Sequence, residues 1–213
     1  YNLFKKFENN QIREVSLEID ERINQYTGED AVAKFELLKA KVVARLEGLD
    51  AYKKALNFTA LTYPNSAEGK QAEELLEQDI PKLEALDFGQ AAPTEWKIIF
   101  PKQFPLDNNV KNLTDKIDNY LTDTRNVLLK TSTDLYTSTQ DFIVIHGLQS
   151  KDIARSVLTI LSEHKNYKIK DQAYIVSSED YKIIQMKKKF EEAVKLSVKY
   201  MTDKKLPDKA IDL

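Results

Sequence analysis

Apolar positions over the first part of the chain recur at steps of three and four. Ile12, Val15, Ile19, Ile23 and Tyr26 share one face of a helix, and Val32, Phe35, Leu38, Val42 and Leu46 share one face of a second. Leu49, Tyr52, Leu56 and Tyr63 mark a third helix, closed by Tyr63-Pro64-Asn65-Ser66. Ala72, Leu75, Leu76, Leu83 and Leu86 mark a fourth, which Pro81 is predicted to kink or split because proline lacks the intrahelical donor. Gly28, Gly48, Gly69 and Gly89 are almost evenly spaced and are predicted to supply left-handed helix C-caps. Short turns between helices of similar length predict antiparallel helix pairs stacked as a solenoid.

The pattern changes at residue 87. Asp87-Phe88-Gly89-Gln90-Ala91-Ala92-Pro93-Thr94 has loop chemistry and no period. Beyond it Trp96–Phe100 reads as a strand fenced by Pro101 and Pro105, and Val110, Leu113, Ile117 and Leu121 as a helix over 106–123. Strands follow over 127–136 and 141–146, the second ended by Gly147. Ser150 or Asp152 is expected to cap a helix that buries Ile153, Val157, Ile160 and Leu161. Tyr174–Val176 reads as a strand, Ser177–Asp180 as a turn, and Tyr181–Met186 as a terminal strand. This order is a split βαβ, or ferredoxin-like, arrangement with its helices on one face of a small sheet. The expected class is α+β: helical repeats over 1–87, a linker over 88–94, a ferredoxin-like α/β domain over 95–190, and a helical tail over 191–213.

Composition narrows the chemistry. With 42% hydrophobic and 31% charged residues the chain can bury a core, and 32 Lys+Arg against 34 Asp+Glu argue against a dedicated nucleic-acid binder. There is no Cys, hence no disulfide, thiol nucleophile or Cys-based zinc site. Gly69-Lys70 lacks the rest of a phosphate-binding loop: Pro64 stands at its first glycine position and Gln71 where Ser or Thr belongs. His146, with Ser177 or Ser178 and Asp141 or Asp180, provides the residue types of a hydrolytic triad, but the serines and aspartates also suit turns. The carboxylates Glu18, Asp20, Glu21, Glu73, Glu74 and Glu77 read as a solvated surface with i, i+4 partners such as Glu18 to Arg22, and Lys187-Lys188-Lys189 as a solvated helix start. No catalytic residue, cofactor or metal is expected. Of the ten tyrosines, Tyr52 is expected in the core with Phe35, while Tyr136 and Tyr181 are candidate partner-contact residues.

Leu38–Leu76, with Ala55-Leu56-Asn57-Phe58-Thr59-Ala60-Leu61-Thr62-Tyr63-Pro64-Asn65-Ser66, resembles a tetratricopeptide helix pair. Asp141–Leu148 (DFIVIHGL) and Ile175–Gln185 (IVSSEDYKIIQ) resemble the C-terminal part of the SprE/PorW family of gliding-motility tetratricopeptide lipoproteins, a similarity covering residues 1 to about 192. The helical motif is common to many families, whereas the two strand motifs are distinctive. The resemblance implies a non-enzymatic scaffold of the type IX secretion and gliding machinery in Bacteroidota. Its place would be the periplasm, associated with the outer membrane, and its partners other protein components of the translocon complex. Membrane association would come only through a lipid anchor outside this chain, because the lipidated cysteine and upstream repeats of that family are not in it. Glu191–Leu213, with Leu206-Pro207-Asp208-Lys209-Ala210-Ile211-Asp212-Leu213, instead resembles the small helical subdomain of a Clp-type AAA+ unfoldase, the alternative identity.

Overall fold

Two compact units divide the chain: Tyr1–Asp87 with Met186–Lys188, and Phe88–Gln185 with Lys189–Leu213. The computed structural model describes residues 2–125, 127–195, 197 and 211–212.

The first unit is helical: α1 Asn2–Glu8, α2 Ile12–Gln25, α3 Val32–Leu46, α4 Leu49–Thr62, α5 Ala67–Gln78 and α6 Ile80–Ala85. Each helix packs on the next and α3 also reaches α5, the neighbour pattern of a paired-helix array. The predicted stripes supply most of the buried positions, with Val15 and Leu56 at 0% and Val42 at 1% exposure, whereas Leu86 at the end of the fourth is 45% exposed. Phe4 and Tyr26 pack on the Phe35 ring with centroids 5.7 and 5.2 Å away. The fourth predicted helix does break beside Pro81, which stands in the first turn of α6 after the Asp79 N-cap. Glu18 pairs with Lys6 at 2.5 Å, and Arg22 donates instead to Gln25.

Gly69 is not a C-cap. It lies in the first turn of α5, where its N–H donates to the Ser66 N-cap hydroxyl at 2.9 Å. A Cβ there would stand 1.9 Å from the Tyr63 carbonyl oxygen, so glycine is required by close backbone approach rather than by a left-handed φ. Lys187 is likewise no solvated helix start: its Nζ donates to the carbonyls of Glu84 and Leu86.

In the second unit the order is β1 Trp96–Gln103, α7 Asn108–Thr124, β2 Lys130–Leu135, β3 Gln140–Leu148, α8 Lys151–Glu163, β4 Tyr174–Ser177, α9 Ser178–Lys187 and β5 Ile211–Asp212. The sheet runs β2-β3-β1-β4-β5, antiparallel except for the β4–β5 pair. Its first four strands with α7 and α8 are the ferredoxin-like arrangement the element order predicts.

Pro101 lies inside β1 rather than fencing it. Phe104 N–H donates to Thr139 O in the β1–β3 ladder, so alternation aims the Pro101 backbone away from β3, beyond the last β1–β4 pair Ile99↔Tyr174. Gly147 does not end β3 either. The β1–β3 register shifts from Ile98↔Ile145 to Trp96↔Leu148, and Gly147 at φ +88 occupies that bulge, with a Cβ position 2.1 Å from Leu128 O. In α8 the buried stripe is Ala154, Val157, Leu158 and Leu161; Ile153 and Ile160 are one position off it, at 45% and 43% exposure.

The largest departure is α9, where a turn and a strand are predicted over 177–186. Ser177 Oγ accepts the Asp180 N–H at 3.0 Å, Glu179 and Asp180 complement the helix N-terminus, and Tyr181 and Ile184 are one turn apart and buried. The sheet therefore carries helices on both faces. Ile98, Phe100, Ile143, Ile145 and Ile175 pack under α7 and α8. Ile99, Phe142, Val144 and Val176 pack with Tyr181, Ile184, Phe190 and Ala193 on the other side. Residues 190–195 are helical; of the expected helical tail, 196, 198–210 and 213 lie outside the described residues, and Ile211–Asp212 form a strand on β4 instead of helix.

The two kinds of glycine predict different costs. Gly69→Ala should lower unfolding stability by about 1–3 kcal/mol through forced backbone displacement. Gly28→Ala, with φ +90 but nothing within 4 Å of its Cβ, should cost about 1 kcal/mol. Urea denaturation of the two variants beside the parent chain measures both.

Candidate functional site

Strand alternation brings the chemistry-bearing residues of the second unit together on the face shared with α9. Lys97 belongs to that side of β1, with Glu95 just before the strand, Ser132 and Asp134 to β2, and His146 to β3, where it is directly opposite Lys130. From α9, Tyr181 and Gln185 complete a continuous chain of hydrogen bonds.

Lys97 Nζ stands 2.9 Å from His146 Nδ1, and His146 Nε2 stands 2.5 Å from Ser132 Oγ. Ser132 Oγ donates to Asp134 Oδ1 at 2.6 Å, Tyr181 OH donates to Asp134 Oδ2 at 2.7 Å, and Gln185 Nε2 donates to Tyr181 OH at 2.9 Å. At the other end Glu95 Oε1 accepts the Gly147 N–H at 3.1 Å and Lys97 Nζ at 3.3 Å. Donor chemistry allows one direction. An ammonium only donates, so Nδ1 must accept; the imidazole proton is then on Nε2 and points at Ser132. Ser132 in turn donates its hydroxyl hydrogen bond to the Asp134 carboxylate, which only accepts.

That direction is opposite to a hydrolytic triad, in which the histidine nitrogen facing the serine is unprotonated and takes its proton. Here the carboxylate holds the serine rather than the far side of the imidazole. Charges reinforce the assignment: burial, and then the neighbouring Lys97, push His146 below the ordinary imidazole range, so it is neutral at pH 7. The Gly147 N–H, followed by Lys97, holds Glu95 below the usual carboxylate range. Burial and then Asp134 raise the Tyr181 phenol, which keeps its proton. The network is a positioning device that ties β1, β2, β3 and α9 together.

The expected triad partners are elsewhere. Ser177 caps α9, Ser178 is 9% exposed, and its hydroxyl has no hydrogen-bond partner among the described residues. Asp180 Oδ1 accepts the Gly89 N–H at 2.9 Å, and Asp141 is buried at the start of β3. Tyr136 and Tyr181, the candidate partner-contact residues, are buried within the chain at 4% and 6% exposure. Tyr136 OH accepts the Phe190 N–H at 3.1 Å, its ring stacks on Phe142 at 4.5 Å, and burial pushes its phenol up to about 12. Both fill the apolar space under α9. Lys97, Ser132 and Asp134 were invisible to residue-by-residue motif reading; the clue was the i, i+2 spacing of Ser132 and Asp134 on a strand that pairs with His146.

The helical unit offers a different feature. A groove of about 950 Å³ runs between the α2–α3 and α4–α5 turns. Ile23, Val32 and Ala33 give it apolar lining, and Glu29, Asp30, Glu36 and Glu68 place carboxylates along it beside Lys34. Burial raises the Glu36 carboxyl above its ordinary range, with Asp20 adding to the rise and Lys39 opposing it. Burial and then Glu36 raise the Tyr63 phenol. Among the described residues no three or more His, Asp or Glu side chains form a metal-binding group, and no helix is long and apolar enough to cross a membrane.

His146 links the network to pH. Its folded-state pKa is depressed, so the unfolded chain binds more protons below about pH 6.5. Its contribution is present above that value and is lost as pH falls through the lower folded value. Thermal unfolding from pH 7.5 to pH 5 should therefore show a steeper loss of stability in the parent chain than in His146→Gln. Parallel curves would mean that the imidazole is not held neutral.

A family model described as AAA lid domain matches residues 177–213, a segment that starts at the last residue of β4 and includes α9. A search of curated proteins finds no match. The chain thus has an AAA-lid-like C-terminal segment, joined in sequence to a helical array and a ferredoxin-like unit.

Proposed function

We propose that this chain is a non-enzymatic, protein-binding component whose helical unit receives a segment of a partner in the groove between the α2–α3 and α4–α5 turns. The observation that carries the reading is the groove itself: apolar lining for affinity, with Glu29, Asp30, Glu36 and Glu68 selecting a basic or donor-rich segment. A pre-formed helix array lowers the ordering cost of such an encounter. The polarity of the His146 chain agrees, since its serine and imidazole are engaged in joining strands and helix.

The resemblance to the SprE/PorW family suggests the assembly: the type IX secretion and gliding machinery, with translocon proteins as partners and a lipid anchor outside this chain. That reading rests on the motifs Asp141–Leu148 in β3 and Ile175–Gln185 across β4 and α9 alone. A second reading, a piece of a Clp-type AAA+ unfoldase, has the family match over 177–213 behind it, and the match favours it over the secretion assignment. In that case nucleotide binding requires a phosphate-binding loop, and the sequence here contains none.

Replacing Glu29 and Asp30, both exposed, by Lys in the full-length protein of a type IX secreting cell discriminates these readings. The proposal predicts normal protein level, loss of co-purification with the translocon and loss of cargo secretion. Unchanged secretion and co-purification would refute it. Measurable ATP affinity of the full-length protein by calorimetry would support the unfoldase reading in its place.

A further inference from the structure

The sheet ends at β2, whose outer edge has no neighbouring strand among the described residues. The direction of its backbone groups follows from the β2–β3 ladder. Its register ends at Leu135↔Asp141, and the next pair, Tyr136 with Gln140, is a hydrogen-bonded one because Tyr136 N–H donates to Gln140 O at 3.1 Å. By alternation Lys130, Ser132 and Asp134 also turn their N–H and C=O toward β3. Thr131 and Thr133 turn theirs outward.

We propose that this edge pairs with β2 of a second copy of the chain, antiparallel, about a two-fold axis through Ser132. Only registers that place outward residues opposite outward residues can form hydrogen bonds. Among these, the one centred on Ser132 sets Thr131 opposite Thr133 of the copy, twice, closing two hydrogen-bonded rings. It also sets Lys130 opposite Asp134 of the copy, twice, at non-hydrogen-bonded positions where facing side chains are closest. Shifting the axis to Thr131 or Thr133 loses both charge pairs. Lysine on an edge strand ordinarily deters foreign strands, but in this register its charge is matched by the chain's own aspartate. The pairing is isologous, so it closes at two copies and does not propagate.

Accessibility and side-chain capacity agree. Lys130 and Thr133 are exposed, and Ser132 and Asp134 are half-buried. Asp134 accepts one hydrogen bond on each oxygen from Ser132 and Tyr181, which leaves lone pairs on both for an ammonium group. Just before β2, Val127 and Leu128 are 86% and 59% exposed and give apolar surface at the two ends of the paired strands. The contact is small, so the dimer is a weak one, with a dissociation constant of roughly micromolar to millimolar order.

Sedimentation equilibrium of the intact chain over a range of concentrations tests this. The parent should show a monomer–dimer equilibrium. Lys130→Glu turns two attractive pairs into repulsive ones and should weaken it by roughly tenfold. Thr133→Pro removes an N–H that the β3 ladder does not use and should leave a monomer with an unchanged circular dichroism spectrum. A parent that stays monomeric up to about 1 mM would overturn the proposal. So would a dimer that survives Lys130→Glu at full affinity, whatever the folding of the proline variant.

Discussion

The second unit is organised by central strands that are apolar on both faces. Ile98 and Phe100 point to one side of β1 and Ile99 to the other; Ile143 and Ile145 on β3 oppose Phe142 and Val144. Two helices can cover only one side of such a sheet, so the other side demands a second cover. α9 and the helical residues 190–195 supply it. Where the apolar surface gives way, Lys97, His146, Ser132 and Asp134 continue the same face with every polar group engaged. Tyr181 belongs to both parts, with its ring in the apolar cluster and its hydroxyl on Asp134.

This double role accounts for the character of the polar chain. Burial of an imidazole and a carboxylate beside an apolar cluster is tolerable when each has complementary partners. Lys97, held by Glu95 and placed 5.9 Å from the Tyr181 ring centroid, donates the hydrogen bond that Nδ1 accepts. The arrangement contains the residue types of a hydrolytic triad, with the hydrogen bonds running in the opposite direction.

Much of the fold was legible because it follows from period and punctuation. The helical stripes in α2 to α5, the break at Pro81 and the Ser150 cap of α8 are local, and local chemistry determines them. The failures have a common cause in tertiary context. Tyr181–Met186 has too few residues to separate strand from helix by period, and the deciding contacts, Phe142 and Asp134, are far away in sequence. Pro101 and Gly147 look like terminators until the ladder shows one facing an open side and the other occupying a bulge. Gly69 answers to a carbonyl six residues earlier, not to its own dihedral preference. The polar chain was the least legible feature, because its short local links, Glu95–Lys97, Ser132–Asp134 and Tyr181–Gln185, are joined to one another only through long-range contacts among β1, β2, β3 and α9.

The central claim is that His146 is a fixed, neutral link in this chain and not a base poised against Ser132. Nitrogen-15 NMR of the imidazole at pH 7 reads the tautomer directly. The account predicts a neutral ring protonated on Nε2, with Nδ1 accepting a hydrogen bond. A ring protonated on Nδ1, with Nε2 open toward the serine hydroxyl, would contradict it and return the site to catalysis.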